Sequence, residues 1–272
     1  MSQKEAELMF EHLWRDFAAI APQAAHIHAL LKSKGEHFRN DHVAIRTFDA
    51  AKIALEVLAE PFLQWGYKPT GDYAFKEKKI CARSYSHPSG ELPRVFISEL
   101  LLSQCSATLQ KHVRGMLEQL EETLSGEALL RNQALWPRIN YSVYRQMLEE
   151  SEYAAWVMAF GIRTNHFTVN FNDLQAFTTL RELNDFLVSE GFELNSPNQP
   201  IQGSSESMLE QSSTRADHVM WRFSDGEERS IRSCYYEFCR RYPDPKTGTW
   251  YDGFITNSAD KIFESTNVQS FT

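Results

Sequence analysis

The sequence Asn40-Asp41-His42-Val43-Ala44-Ile45 guides the interpretation of the whole chain, because a related phrase, Thr164-Asn165-His166-Phe167-Thr168-Val169, occurs in its second half. Each copy places a histidine at the start of an apolar, strand-like run, and an amphipathic helical pattern follows each run. The two helical patterns end at Gly66 and Gly191, which lie 24 and 25 residues after the histidines. Because both matches fall in the same register, the sequence predicts two related halves.

Each half continues with further strand patterns, so the predicted order of elements is β-α-β-β-β in both. The strands are expected at 42–48, 67–75, 80–86, 95–101, 165–171, near Phe192, at 217–223 and at 230–240. The helices are expected at 5–19, 23–34, 51–65, 107–125, 141–160 and 174–190. Asp49 and Asp173 are natural N-caps for the third and the last of these helices. The polar stretch 195–213 is interpreted as a long loop or an irregular hairpin.

These patterns predict an α+β fold with two βαβββ modules within one metal-enzyme domain, 1–272. Its parts are N-terminal helices (1–38), module 1 (40–102), a helical insertion (106–160), module 2 (164–242) and a C-terminal tail (243–272).

Composition narrows the classes of partner. A chain of 272 residues with 42% hydrophobic content can bury a substantial core. The net charge of −8 and the dispersed basic residues argue against nucleic-acid binding. No apolar run approaches the roughly 18 residues that a membrane-spanning helix needs, so a cytoplasmic protein with no membrane partner is expected. The four cysteines form no CxxC pair, and reduced thiols are expected.

Strand alternation assigns the histidines to polar faces. Since alternate residues of a strand share a face, His42, Ala44 and Arg46 point one way. In the second half, His166 and Thr168 share a face opposite apolar neighbours. These polar faces are expected to line one cavity.

Glutamates in later strands complete a candidate metal site. Glu237 lies in an aromatic strand, where a buried carboxylate is costly unless it is paired or bound to a cation. Two imidazoles and one carboxylate form the facial triad of non-haem Fe(II) oxygenases. Glu99 lies in the corresponding strand of the first half. If it also points inward, the site becomes His2Glu2, which also suits Zn(II), Ni(II) or Mn(II). Its alternative role is pairing with an arginine.

Arg46 is the candidate contact for a substrate carboxylate, because it shares a face with His42 and its guanidinium can form a forked pair with a carboxylate. The alternative is a structural ion pair with an acidic side chain.

The phrases His42-Val43-Ala44-Ile45-Arg46, Asn165-His166-Phe167-Thr168 and Tyr236-Glu237-Phe238 resemble those of the DUF1338 family, within the vicinal oxygen chelate superfamily. The resemblance extends to Trp250-Tyr251-Asp252-Gly253-Phe254 and Ala259-Asp260-Lys261-Ile262-Phe263. It implies that the two modules form a half-barrel of the vicinal oxygen chelate type. It also implies a 2-oxoadipate dioxygenase/decarboxylase that uses Fe(II) and O2 to produce 2-hydroxyglutarate and CO2 in lysine catabolism.

Carried over by motif, the resemblance implies that His42, His166 and Glu237 bind iron and that Arg46 binds a substrate carboxylate. The chain looks shorter than characterised bacterial members, so its substrate is less well defined than its metal site. Two other hypotheses stay open: a metal-dependent hydrolase, lyase or isomerase on the same scaffold, and a non-catalytic protein that binds a small molecule.

Overall fold

One eight-stranded sheet organises the chain in the computed structural model, which describes residues 3–120, 124–132 and 135–255. Its strands are β1 (Asn40–Phe48), β2 (Lys68–Phe75), β3 (Ile80–Ser86), β4 (Arg94–Leu100), β5 (Thr164–Asn170), β6 (Gln202–Ser204), β7 (Leu209–Ser213) and β10 (Tyr235–Arg241). A separate hairpin consists of β8 (His218–Arg222) and β9 (Glu228–Arg232). The helices are α1 (Gln3–Ile20), α2 (Pro22–Ser33), α3 (Leu55–Gln64), α4 (Ala107–Leu117), α5 (Gly126–Arg131), α6 (Tyr141–Glu150), α7 (Glu152–Phe160) and α8 (Leu180–Ser189).

The strand order β2-β3-β4-β1-β5-β10-β7-β6 is symmetric about its centre. β1 and β5 pair antiparallel there. Each has the last strand of its own half as a parallel neighbour, β4 beside β1 and β10 beside β5. The predicted duplication and the α+β class are therefore confirmed, and the two halves share one continuous sheet.

The two faces of the central strands differ as the alternation predicts. Val43 and Phe167 are fully buried on the face that packs against helices. The rings of Trp14 and Phe17 in α1 lie 5.1 and 5.2 Å from the ring of Phe167. The opposite face of β1, β5 and β10 carries the polar side chains of the candidate site.

Helix α3 begins later than predicted, because its cap comes from a distant strand. Its first amide, Leu55 N, donates to Glu99 Oε2 at 2.8 Å. Asp49 instead accepts from Leu102 N at 2.7 Å. The prediction that Asp49 caps this helix is therefore wrong.

The last helix shows the same error. α8 begins at Leu180, and the Thr179 hydroxyl caps it by accepting from Glu182 N. Asp173, the predicted cap, accepts hydrogen bonds from Arg39 instead.

Other boundaries of the helical insertion and of the second half also differ. The predicted helix 141–160 is two helices, because the Ser151 backbone is extended and its hydroxyl caps α7. The expected strand near Phe192 is only an isolated bridge between Leu194 and Thr214. For residues 195–213, interpreted as a long loop or an irregular hairpin, the hairpin alternative is confirmed, because β6 and β7 pair antiparallel. β7 also pairs with β10. The predicted strand 230–240 is divided between β9 and β10.

No helix in the described ranges is both long enough and apolar enough to cross a bilayer. All four cysteines are free thiols, as expected. The motif at 259–263 lies outside the described residues.

Candidate metal centre

Side chains from three adjacent strands meet at the centre of the sheet. In the register, His42 of β1 lies opposite Thr168 of β5, and Glu237 of β10 is paired with the same threonine. His166, two residues before Thr168, shares its face. The ring nitrogen Nε2 lies 3.4 Å from Glu237 Oε1 for His42 and 3.5 Å from Oε2 for His166. One ligand atom from each of the three residues lies within 4.8 Å of the others, and all three residues are buried.

A buried carboxylate orients the His42 ring. His42 Nδ1 lies 2.8 Å from Asp41 Oδ1, which leaves Nε2 facing Glu237 and 3.0 Å from Thr168 Oγ1. Burial by itself would raise the pKa of Asp41, but the Arg241 guanidinium and the hydrogen bond to His42 hold that pKa well below its usual value. Asp41 is therefore an anion that fixes which ring nitrogen is available.

The second histidine is held more loosely. His166 Nδ1 lies 3.4 Å from Asn165 Oδ1, and its ring stacks on Tyr235 with 4.6 Å between centroids. Burial, followed by the charges of His42 and Arg46, lowers the pKa of His166 well below 6.5. Burial also lowers the pKa of His42. Both rings are thus neutral near pH 7, which is the form that binds a metal.

Glu237 is a carboxylate in an environment that disfavours its charge. Burial raises its pKa to about 8, although the hydrogen bond from Gln211 Nε2 at 2.6 Å acts in the opposite direction. A divalent cation between the carboxylate and the two imidazoles would offset the burial penalty. The donor set and its burial therefore fit a metal ion, and His2Glu with neutral rings is the set that non-haem Fe(II) oxygenases use.

A second group of possible ligands, Asp41, His42 and Cys239, shares His42 with the first. Asp41 is already engaged by arginine side chains. Burial also raises the pKa of the Cys239 thiol well above 9.0, so the thiolate that binds metals is disfavoured. We therefore assign the candidate centre to His42, His166 and Glu237.

Glu99 does not join this group. Glu99 is paired with Thr47 of β1. Thr47 follows Arg46 directly, so Thr47 and Glu99 lie on the opposite face of the sheet from Arg46 and His42. Its carboxylate accepts from Leu55 N and from the Cys81 thiol. The structure therefore gives Glu99 the role of a helix cap rather than of a fourth ligand.

Arg46 lies on the same face as His42 and is 1% exposed. Its guanidinium lies over the rings of Tyr153 and Trp156, at 4.9 and 5.3 Å from their centroids. Its Nη1 is 3.7 Å from Glu152 Oε1. The acidic neighbour fits the structural ion pair considered for Arg46. The place of Arg46 on the His42 face is the position that the carboxylate-binding role requires.

Sequence reasoning missed three polar neighbours of these ligands: Asp41, Gln211 and Arg241. A polar residue precedes each histidine in the repeated phrase, and this was a usable signal for Asp41. Gln211 had no such signal, since it lies in a polar stretch interpreted as a long loop or an irregular hairpin.

The sequence profile of the 2-oxoadipate dioxygenase/decarboxylase family matches residues 15–243. The chain belongs to this family. Among curated members, it is 35% identical over 250 residues to the chloroplastic 2-oxoadipate dioxygenase/decarboxylase of Arabidopsis thaliana, an alignment that covers 83% of this chain and 67% of the relative. The DUF1338-type resemblance seen in the motifs is thereby confirmed.

Solved structures of similar proteins extend over nearly the whole of this family member. The hydroxyglutarate synthase of Oryza sativa, crystallised with 2-oxoadipate, superposes with a TM-score of 0.90 at 31% identity, covering 98% of this chain and 94% of the other. A protein from Shewanella frigidimarina NCIMB 400, provisionally described as a hydrolase, superposes with a TM-score of 0.85 at 42% identity. The alignment covers 94% of this chain and 100% of that protein.

A glyoxalase-superfamily protein from Ralstonia eutropha JMP134 shares the fold alone, with a TM-score of 0.72 at 21% identity over 93% of this chain and 89% of the other. The expected α+β half-barrel of two modules is therefore confirmed.

Proposed function

We propose that this family member is an Fe(II)-dependent dioxygenase/decarboxylase that acts on a 2-oxo acid such as 2-oxoadipate and yields 2-hydroxyglutarate and CO2. The observation that carries the proposal is the buried meeting of His42 Nε2, His166 Nε2 and the Glu237 carboxylate. The names of the Arabidopsis and rice relatives supply the reaction and the substrate. Lysine catabolism and a cytoplasmic location belong to the same proposal, although the Arabidopsis relative is chloroplastic.

His42, His166 and Glu237 would hold the metal. Three protein ligands leave positions open for the other reactants, and Fe(II) is the metal that this donor set favours. Zn(II), Ni(II) and Mn(II) are compatible with the same atoms. When bound, the metal supplies the redox chemistry with O2 and the polarisation of the 2-oxo acid that oxidative decarboxylation requires.

The protein's own contribution begins with fixed ligands. Asp41 sets the His42 ring, and Gln211 holds one oxygen of Glu237. Buried surroundings exclude water from these groups and strengthen electrostatic interactions among them.

Arg46 is proposed to bind the far carboxylate of a dicarboxylic 2-oxo acid. Ala44 is paired with His166, and Arg46 is the next residue of β1 on the same face. Arg46 therefore lies one two-residue strand repeat from the candidate metal centre. The rings of Tyr153 and Trp156 restrict its guanidinium. A substrate carboxylate that pairs with the Arg46 guanidinium would compete with the Glu152 carboxylate for this cation.

Metal reconstitution under anaerobic conditions, followed by O2 uptake and CO2 release, tests the proposal. The iron-loaded protein should consume O2 with 2-oxoadipate, and Glu237→Gln should not. A protein that binds iron fully through these residues but consumes no O2 with a panel of 2-oxo acids would contradict the proposed reaction.

The alternative is a metal-dependent hydrolase, lyase or isomerase on the same scaffold. The identity of the metal, together with whether Glu99 binds it, distinguishes that alternative from the oxygenase. Glu99 accepts from Leu55 N at the start of α3, which favours the three-ligand site. Turnover of a substrate without O2 would favour the alternative.

A further inference from the structure

Asp41 is the centre of a buried charge cluster beside the candidate metal centre. Besides His42, it accepts from Arg241 Nε at 2.7 Å and from Arg241 Nη2 at 2.9 Å. Arg94 Nη1 lies 3.3 Å from its second oxygen. The carboxylate that sets the His42 ring is thus itself held by two guanidinium groups.

Both arginines also hold the C-terminal segment Tyr251–Phe254. Arg241 Nη1 donates to the carbonyl oxygens of Tyr251 and Gly253 at 2.9 and 2.8 Å. Arg94 Nε donates to the Asp252 carboxylate. The two arginines that hold Asp41 therefore make three hydrogen bonds to the segment that follows β10.

The same segment also contacts the candidate ligand His42 directly. The Phe254 ring meets the His42 ring edge to face, with centroids 4.8 Å apart and an interplanar angle of 86°. Phe254 also packs on Phe96, and its amide donates to Tyr73 Oη at 3.2 Å. Phe254 thus covers the His42 side of the candidate metal centre.

The other half of the sheet shows no equivalent among the described residues. Asn165 takes the place of Asp41 in the repeat, and its contact to His166 is 3.4 Å. The charged support and its link to the terminal segment are therefore specific to His42 rather than a consequence of the duplication.

We propose that Asp41 is a positioning residue for His42, and that Arg94 and Arg241 couple this role to docking of Tyr251–Phe254. The docked segment favours the His42 orientation that binds metal, and bound metal in turn stabilises the docked segment, because coupling between two binding events is reciprocal. This inference rests on the proposed function, since it requires His42 to be a metal ligand.

Cobalt(II) is the probe for the test, because its binding can be titrated and its absorption spectrum reports ligand geometry. Asp41→Asn should weaken Co(II) binding about 10- to 100-fold, as changes to residues that orient a ligand do, and should alter the spectrum. Asp252→Asn changes only a half-exposed residue outside the ligand set. It should weaken binding by up to about fivefold, which loss of a partly exposed ion pair allows.

Hydrogen exchange at the amides of residues 251–254 supplies the second readout. Co(II) should slow exchange there in the wild type and much less in Asp252→Asn. Asp72→Asn, which removes the exposed ion pair to Arg83, is the matched control and should change neither readout.

If Asp41→Asn does not fold, Asp252→Asn decides the question. The coupling would be overturned if Asp252→Asn, and a folded Asp41→Asn, showed the same Co(II) affinity, spectrum and hydrogen exchange as the wild type. The proposed function would remain intact in that case. A wild-type protein that binds no Co(II) would instead overturn the metal site itself, and this inference with it.

Discussion

The side-chain amide of Gln211 lies 2.6 Å from Oε1 of Glu237 and joins strand β7 to the candidate metal centre. Without this donor, a buried carboxylate loses its hydrogen bond, and its orientation toward the histidines is less restricted. We expect Gln211→Leu to weaken metal binding about 10- to 100-fold, measured by titration with Co(II).

Ser213 is the matched control for this change. It is buried on the same strand and paired with Glu237, and its hydroxyl has no hydrogen-bond partner among the described residues. Ser213→Ala should bind Co(II) nearly as the wild type does. Equal losses in the two variants would indicate a general packing defect.

Replacing a ligand should remove the stabilisation that metal provides. A metal at 100 times its Kd adds about 2.7 kcal/mol to the free energy of unfolding. His42→Ala and His166→Ala should show little increase in Tm when metal is added, whereas His37→Ala, at an exposed site, should respond like the wild type. An undiminished metal-dependent shift in Tm in both ligand variants would exclude these histidines.

Arg46→Lys tests recognition of the distal carboxylate. Lysine keeps the positive charge but loses the planar fork and its stacking on Tyr153 and Trp156. Loss of a charge-assisted hydrogen bond, about 1.5–3 kcal/mol, predicts KM for 2-oxoadipate about 10- to 100-fold higher. A monocarboxylic 2-oxo acid of the same length should show little change. Equal effects on both substrates would argue against this role.

Asp217 should make stability depend on pH. Burial raises its pKa to about 6, opposed by the hydrogen bond from Gln23 N at 2.8 Å. The folded protein therefore holds this proton more tightly than the unfolded chain, whose group has a pKa of 3.8. Its contribution to stability is present at low pH and is lost as pH rises from about 4 through 6.

Urea unfolding of the metal-free protein between pH 4.5 and 7 measures this effect. Asp217→Asn should unfold with a weaker pH dependence and should gain stability relative to the wild type near pH 7. An unchanged pH profile in the variant would refute this assignment.

Gly126 should be intolerant of a side chain. A Cβ at this position would lie 2.0 Å from the carbonyl oxygen of Val57, where α5 packs on α3. Gly126→Ala should lower the free energy of unfolding by about 1–3 kcal/mol. Gly115→Ala, in α4 with no atom within 4 Å of the new Cβ, should raise it by up to about 1 kcal/mol.

The parts of the fold that depend on local patterns were predictable from the sequence. Strand alternation placed His42 and Arg46 on one face and Val43 on the other, because a side chain's direction in a strand depends only on its position in the pleat. Alternation alone did not determine how far Glu99 lies from the histidines. The pairing of strands in the sheet places it beside Thr47.

The errors arise where a distant partner overrides a local signal. Asp49 and Asp173 are favourable caps by residue type, but Leu102 N and Arg39 engage them. A carboxylate 44 positions away caps α3 instead. The strand that carries Gln211 has polar residues on both faces, since Gln211 bonds Glu237 and Ser212 bonds Asn184. Its composition is therefore typical of a loop or an irregular hairpin.

The antiparallel pairing of β1 with β5 has a consequence for the assembly of the protein. Neither half of the chain contains the complete set of candidate ligands, since the first contributes one imidazole and the second contributes an imidazole and a carboxylate. High-affinity metal uptake would therefore report that the two halves have joined, and separately expressed halves would acquire it only on reassociation.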